Sequence, residues 1–232
     1  PAFISVTYGA GGSSRDATLE CVSHILAHTK VEPMAHLTCV QATLAESTAL
    51  VREFMDVGVK KFLALRGDPP EGSTESDEFL GDLRSATELV ELIRELQDPA
   101  EPVSVGVAAF PNGHPQSTSV QQDIDTLLAK QAAGADMAIT QLFFNAPEYI
   151  DFVAQAKTAG VHIPILPGIM PVISPARLSR MVEISGEEMP RDLEAALLST
   201  DSAEEQREIG IDHAANLARE LIAGGAPGIH LY

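Results

Sequence analysis

The stretch KFLALRGDPPEG, Lys61–Gly72, holds the reading that decides the fold. Phe62 to Leu65 are apolar without a break, as expected of a strand covered on both faces; a strand with one wet face would alternate. The run then stops at Arg66, Gly67 and Asp68, followed by Pro69 and Pro70, which have no amide hydrogen to extend a ladder. Similar runs recur at FISVTYG (Phe3), MAHLTCV (Met34), VSVGVAAFP (Val103), MAITQLFF (Met137), IPILPGIMPV (Ile163) and GIHLY (Gly228), which makes seven. Between them lie segments of helical period, among them RDATLECVSHILAHT, TLAESTALVREFMDVG, RSATELVELIRELQ, SVQQDIDTLLAKQAAG, APEYIDFVAQAKTAG and SAEEQREIGIDHAANLARELIAGG. The first six strand starts fall roughly 25 to 40 residues apart, the repeat of βα units, so the strands are expected to be parallel. No GxGxxG or GxxxxGK[ST] opens a helix, which argues against a nucleotide-binding doubly wound sheet. The expected fold is therefore α/β, a (β/α)8 TIM barrel formed by residues 1–232 as one domain. Seven strands are one short of eight, and the chain starts at Pro1 almost directly on a strand, so the first strand is expected to be lacking from the sequence as given.

Composition bounds the partners. Lys and Arg number 15 against 33 Asp and Glu, a formal charge of -18, which repels nucleic acid and anionic membranes. A phosphate-bearing ligand must then be held by local groups such as helix N-termini and single cations. The two cysteines, Cys21 and Cys39, have no metal-ligand spacing, and no run approaches the ~18 apolar residues of a membrane span. A cytoplasmic protein with small-molecule ligands and no metal is expected. The stretches GDPPEGSTESDEFLGD and SGEEMPRDLEAALLSTDSAEE read as long loops or insertions, because the strand rhythm resumes after each.

In such a barrel, chemistry gathers where the strands end at their C-terminal side. Thr7 and Tyr8 end the first visible strand, His36 lies on the second, and Arg66 and Asp68 close the third. Phe110 and His114 follow the fourth, and Gln141 to Phe144 end the fifth. Each has an ordinary explanation as well. His36 inside an apolar strand is a satisfied core histidine more often than a ligand, TYGAGGSSRDAT also reads as a plain helix entry, and RGDPP also reads as a stiff capped turn.

Together, ISVTYGA, AHLTC, ALRGDPP, FPNGHP, ITQLFF and LPGIMPV, in this order and nearly covering the chain, resemble the methylenetetrahydrofolate reductase family, whose barrel carries FAD. The resemblance implies hydride transfer from NADH or NADPH to FAD and then to 5,10-methylenetetrahydrofolate, the substrates taking turns. Thr7, Asp68 and Gln141 would serve catalysis, with Asp68 favouring the cationic iminium of the opened folate ring. Tyr8, Ala10, His36, Arg66, Gly67, Asp68, Leu80, Phe110, His114, Ser117, Asp123, Thr126 and Lys130 would contact FAD, Lys130 as the cation for its pyrophosphate. Asp123 and Lys130 could equally be solvated charges seven apart on a helix. Asp68, Gln141, Arg177 and Met181 would meet the folate.

The departures matter too. Thr126 and Ala129 stand where the family has Asn and Arg, which removes a cation from the cofactor helix. Arg177 and Met181 stand where it offers Gln and an aromatic ring. The Glu that serves the family as general acid belongs to the strand expected upstream of Pro1. These gaps keep open a flavin-free or non-catalytic folate-binding relative, or a subunit of a larger reductase. A Schiff-base aldolase is disfavoured, since no Lys ends a predicted strand. The resemblance allows a homo-oligomer, and no apolar stripe specifies its symmetry.

Overall fold

The computed structural model describes residues 1–7, 15–69 and 79–232, with the side chains of 15 and 16 left out. They form two compact units, 1–108 with 129–137, and 109–128 with 138–232.

The first unit alternates strand and helix: β1 (Phe3–Val6), α1 (Arg15–His28), β2 (Glu32–Thr38), α2 (Leu44–Asp56), β3 (Lys61–Leu65), α3 (Ala86–Leu96) and β4 (Ser104–Ala109). The pairs β1–β2, β2–β3 and β3–β4 are all parallel, in registers that include Val6↔Ala35, His36↔Leu63 and Ala64↔Val107. The unbroken apolar run of β3 has its reason here: Phe62, Leu63 and Ala64 are buried in succession, as a parallel strand covered on both faces requires. Helix α2 starts on a capping box, in which Thr43 Oγ1 accepts from the Glu46 amide at 3.2 Å and Glu46 accepts from the Thr43 amide at 2.8 Å. Helix α3 is capped by Ser85, whose Oγ accepts from the Glu88 amide at 3.2 Å, and it buries Leu89, Val90, Leu92 and Ile93. Phe54 and Phe62 are fully buried, each stabilising by roughly 2–3 kcal/mol. Arg94, at the end of α3, donates to the carbonyls of Gly134 and Val103 and to Asp136 Oδ2 at 2.6 Å, while Asp136 accepts from the Val105 amide. One guanidinium thereby ties two backbone carbonyls to a side-chain carboxylate.

Helix α4 (Val120–Ala132) joins the two units in sequence. The second unit continues with β5 (Met137–Thr140), α5 (Ala146–Ala159), β6 (Ile165–Leu166), β7 (Gly168–Ile169), α6 (Pro175–Ser185), α7 (Arg191–Leu198), α8 (Ala203–Ala223) and β8 (His230–Leu231). β5 pairs with β6, and β7 with β8, both in parallel. The sixth apolar run is thus two short strands separated by Pro167, which has no amide to give the ladder. Leu142, Phe144, Val172, Leu178, Leu193 and Leu197 form a buried cluster here. Two of its members come from α7, a helix inside the stretch read from sequence as a loop. Leu193 and Leu197 lie four apart on one helical face and are buried, and that packing stabilises eight residues whose polar flanks looked like loop.

Candidate active site

The strand ends of the first unit carry Thr7, His36 and Arg66 to Asp68. Thr7 follows β1, is exposed, and its carbonyl accepts from Thr18 Oγ1 at 3.4 Å. On β2 the period of two places half-buried His36 and Thr38 on the face opposite buried Leu37. Past the end of β3, the Arg66 carbonyl accepts from the Cys39 amide at 3.1 Å, and its guanidinium lies 5.7 Å from the centre of the Phe79 ring. Gly67 has φ +87°, and a Cβ there would fall 2.4 Å from Val40 Cγ2, so the turn that exposes Asp68 requires glycine. Asp68 itself is exposed.

Residues 79–82 are stapled beside this turn. Val40 and Leu80 form an antiparallel bridge, the Gln41 amide donates to the Phe79 carbonyl at 3.0 Å, and the Gly81 amide donates to the Cys39 carbonyl at 2.8 Å. Leu80 is buried in that bridge, 7% exposed. Cys39 is a structural thiol. Its Sγ donates towards the carbonyls of Ser85 (3.4 Å) and Leu65 (3.6 Å), and burial, with Glu88 adding to it, pushes its pKa up to about 11 despite Arg66. A cavity of about 230 Å³ opens on the Leu37 face of β2, lined by residues that include Gln41, Glu46, Leu50 and Leu89. None of its lining residues belongs to the ligand set expected from sequence.

Lys130 is 8% exposed, and its ammonium donates to the Ala108 carbonyl at 2.9 Å. The solvated alternative therefore does not hold for it. Nor does it hold for Asp123, 7% exposed in the first turn of α4 in the second unit. The Asp123 carboxylate accepts from Ser117 Oγ at 2.6 Å and from the His114 amide at 3.3 Å, which folds the FPNGHP turn back onto the positive end of the helix. His114 Nδ1 accepts from the Gln116 amide at 3.1 Å, so its Nε2 carries the proton and is a donor. The His114 ring meets Phe110 edge to face at 4.7 Å. Four residues expected at the cofactor, Phe110, His114, Ser117 and Asp123, are thus one connected group. Thr126 is exposed, and its hydroxyl is turned to the Gln122 carbonyl at 2.8 Å; Ala129 is exposed too.

Gln141 follows β5, half-buried. Its amide donates to the Ala109 carbonyl at 2.8 Å, and its Oε1 accepts from the Leu142 amide at 2.9 Å. Arg177 is exposed in the first turn of α6, where its amide caps onto Ser174 Oγ at 3.2 Å. Met181, one turn later, packs against the buried cluster around Leu178. Tyr8 and Ala10 lie outside the described residues. Sequence reasoning did not find the cluster in which Asn112 Nδ2 donates to Glu148 Oε2 at 3.0 Å and to Glu187. Burial raises the pKa of Glu187, with Glu148 and Glu188 adding to the effect and the Asn112 bond opposing it. Among the described residues no group of three or more His, Cys, Asp or Glu is placed to hold a metal, and no helix is long and apolar enough to cross a membrane.

The family described as methylenetetrahydrofolate reductase matches residues 1–232. The chain is 33% identical to the 5,10-methylenetetrahydrofolate reductases of Salmonella typhimurium and Escherichia coli, over all of its own length and 75% of theirs. It is 34% identical to methylenetetrahydrofolate reductase (NADH) 1 of Arabidopsis thaliana, covering 40% of that protein. Among solved structures, a phosphoenolpyruvate phosphomutase of Streptomyces platensis subsp. rosaceus superposes with a TM-score of 0.55 at 14% identity, over 95% of this chain and 61% of that one. An uncharacterised Clostridium thermocellum protein that binds two copies of 5-methyl-5,6,7,8-tetrahydrofolic acid gives 0.52 at 15% identity, over 99% of this chain and 86% of that one. These likenesses bear out the α/β barrel fold class expected from the strand rhythm.

Proposed function

The chain belongs to the methylenetetrahydrofolate reductase family, and we propose that it reduces 5,10-methylenetetrahydrofolate to 5-methyltetrahydrofolate, taking electrons from NADH or NADPH through bound FAD. The observation that carries the reading is the connected group Phe110, His114, Ser117 and Asp123, held by a buried carboxylate at the start of α4 in a chain whose other strand ends carry the family's polar residues. When bound, FAD would accept a hydride from one substrate and give it to the next.

The residues present fit such a cofactor. Phe110 offers an aromatic face, His114 an Nε2–H donor, and Arg66 a guanidinium one residue from a glycine turn. Lys130 brings a buried ammonium, which donates to the Ala108 carbonyl. In a chain of formal charge -18 this local cation is what would make a pyrophosphate welcome. Asp68 is exposed after β3, and would supply negative charge to the opened folate ring as it becomes cationic. Thr7 and the Gln141 carboxamide would meet the nicotinamide and the pterin. Arg177 is exposed and suits the folate glutamate, and Met181 gives an adaptable apolar wall. Both cysteines are free, which fits a cytoplasmic, reducing compartment.

The test is direct. Purified protein should show the absorption bands of oxidised flavin, bleached by NADH or NADPH without oxygen and restored by methylenetetrahydrofolate. Colourless protein that takes up no added FAD overturns the proposal. Two smaller expectations follow. Lys130→Ala should weaken FAD retention while the folate KM of cofactor-saturated enzyme stays nearly unchanged; equal losses in both would mean that Lys130 serves the fold instead. Ala129→Arg, which places a cation on the exposed side of α4, should tighten FAD by roughly 0.5–1 kcal/mol, as read from its dissociation constant.

A further inference from the structure

At Thr140 the parallel ladder of the second unit changes hands. β5 and β6 pair as Ala138↔Ile165 and Ile139↔Leu166, and a regular parallel continuation would bring the Gly168 amide to the Thr140 carbonyl. The amide goes elsewhere: Gly168 N donates to Thr140 Oγ1 at 2.8 Å, and the Thr140 carbonyl accepts from the Tyr232 hydroxyl at 2.7 Å. Beyond Pro167 the chain has turned to β8, where His230 N donates to the Pro167 carbonyl and Tyr232 N to the Ile169 carbonyl, each at 2.9 Å. The crossing is tight. A Cβ on Gly168 would lie 2.4 Å from Tyr232 Cε2 and 2.6 Å from the Thr140 carbonyl oxygen. Thr140 is fully buried, so no water can replace the bond that its hydroxyl makes. The Tyr232 phenol, which burial pushes up to about 12, is protonated at neutral pH, as its donation to Thr140 requires.

The next residue is Gln141, whose amide is bound to Ala109. The Thr140–Gln141 peptide is thus held on one side by Tyr232 and on the other by Ala109. We infer that Thr140 is a positioning residue for the reaction: its hydroxyl takes over the ladder bond that its carbonyl has given up, and this aims the Gln141 carboxamide at the folate. The inference rests on the proposed role of Gln141 as the residue that meets the substrates.

Thr140→Val keeps the volume and deletes the hydroxyl, leaving the Gly168 amide buried without that acceptor. In FAD-loaded enzyme, kcat/KM for methylenetetrahydrofolate should fall about tenfold with flavin content unchanged, the scale of a small misplacement near the reacting centre. Thr140→Ser should recover it to within about threefold. The decisive measurement is the double-mutant cycle, because in a Gln141→Ala background Thr140→Val should cost nothing further. Additive losses, or equal losses for Val and Ser, would reduce Thr140 to a structural residue. If the Val variant does not fold, Thr140→Cys, with a weakly bonding thiol, takes its place in the same cycle. An unimpaired Gln141→Ala enzyme would overturn the role of Gln141, and this inference with it. An impaired Gln141→Ala beside an unimpaired Thr140→Val would overturn this inference alone.

Discussion

Asp68→Asn is expected to slow the folate half-reaction by on the order of 10²-fold, the size typical of losing one preorganised electrostatic contact. The substitution keeps shape and hydrogen-bonding capacity and removes only the charge. Opening the folate ring creates a cation, so the loss is felt most at the step where that cation forms. The nicotinamide half-reaction should be largely spared, since removing an anion does not hinder electrons arriving at the flavin. Stopped-flow absorbance with each substrate alone, without oxygen, reads the two steps separately. Asp68 lies exposed beyond the end of β3, where its neighbour Gly67 is locked at φ +87° against Val40. The substitution leaves that glycine and its contact untouched, and the variant should fold with an unchanged melting temperature. Equal slowing of both half-reactions, or a drop in melting temperature with both rates intact, would return this stretch to the status of a capped turn.

The largest effect on stability is expected at Gly81. A Cβ there would fall 1.8 Å from the Ala42 carbonyl oxygen and 2.6 Å from Ala42 N, and these are backbone atoms with no rotamer to yield. To accept Ala, residues 79–82 must lift off, which breaks Gly81 N to Cys39 O, Asp82 N to Ala42 O and the Val40–Leu80 bridge. The Leu44 amide would also lose Asp82 Oδ2, now at 2.8 Å, near the start of α2. Gly81→Ala should therefore cost on the order of 3 kcal/mol in urea unfolding, at the upper end of ordinary overpacking. Gly58→Ala is the control: φ is +97°, but nothing lies within 4 Å of the added carbon, so only backbone strain of about 1–2 kcal/mol is expected. A Gly81→Ala protein within 0.5 kcal/mol of the parent would mean that the staple yields easily.

Much of this was legible beforehand because it depends on local pattern. A strand buried on both faces must be apolar throughout, and Phe62 to Ala64 show it in three consecutive letters. A strand's polar continuation marks its end, so Arg66 to Asp68, Phe110 to His114 and Gln141 could be named as strand-end residues before any coordinate was known. α7 was missed because its helical stability comes from Leu193 and Leu197 entering a cluster that the local sequence does not announce.

The sequence by itself determined the βα alternation, the parallel strands and the polar residues at the strand ends, because period and burial demand are properties of short segments. Tertiary structure alone decided which face of each helix is dry. Asp123 and Lys130 both turn out to be buried, although charges spaced seven apart are compatible with a solvated face. It alone decided the ladder handover too, where Thr140 is joined to Gly168 and Tyr232, 28 and 92 residues away along the chain. Hydrogen bonds of that range follow from where strands meet in space, and a pattern a few residues wide carries no record of them.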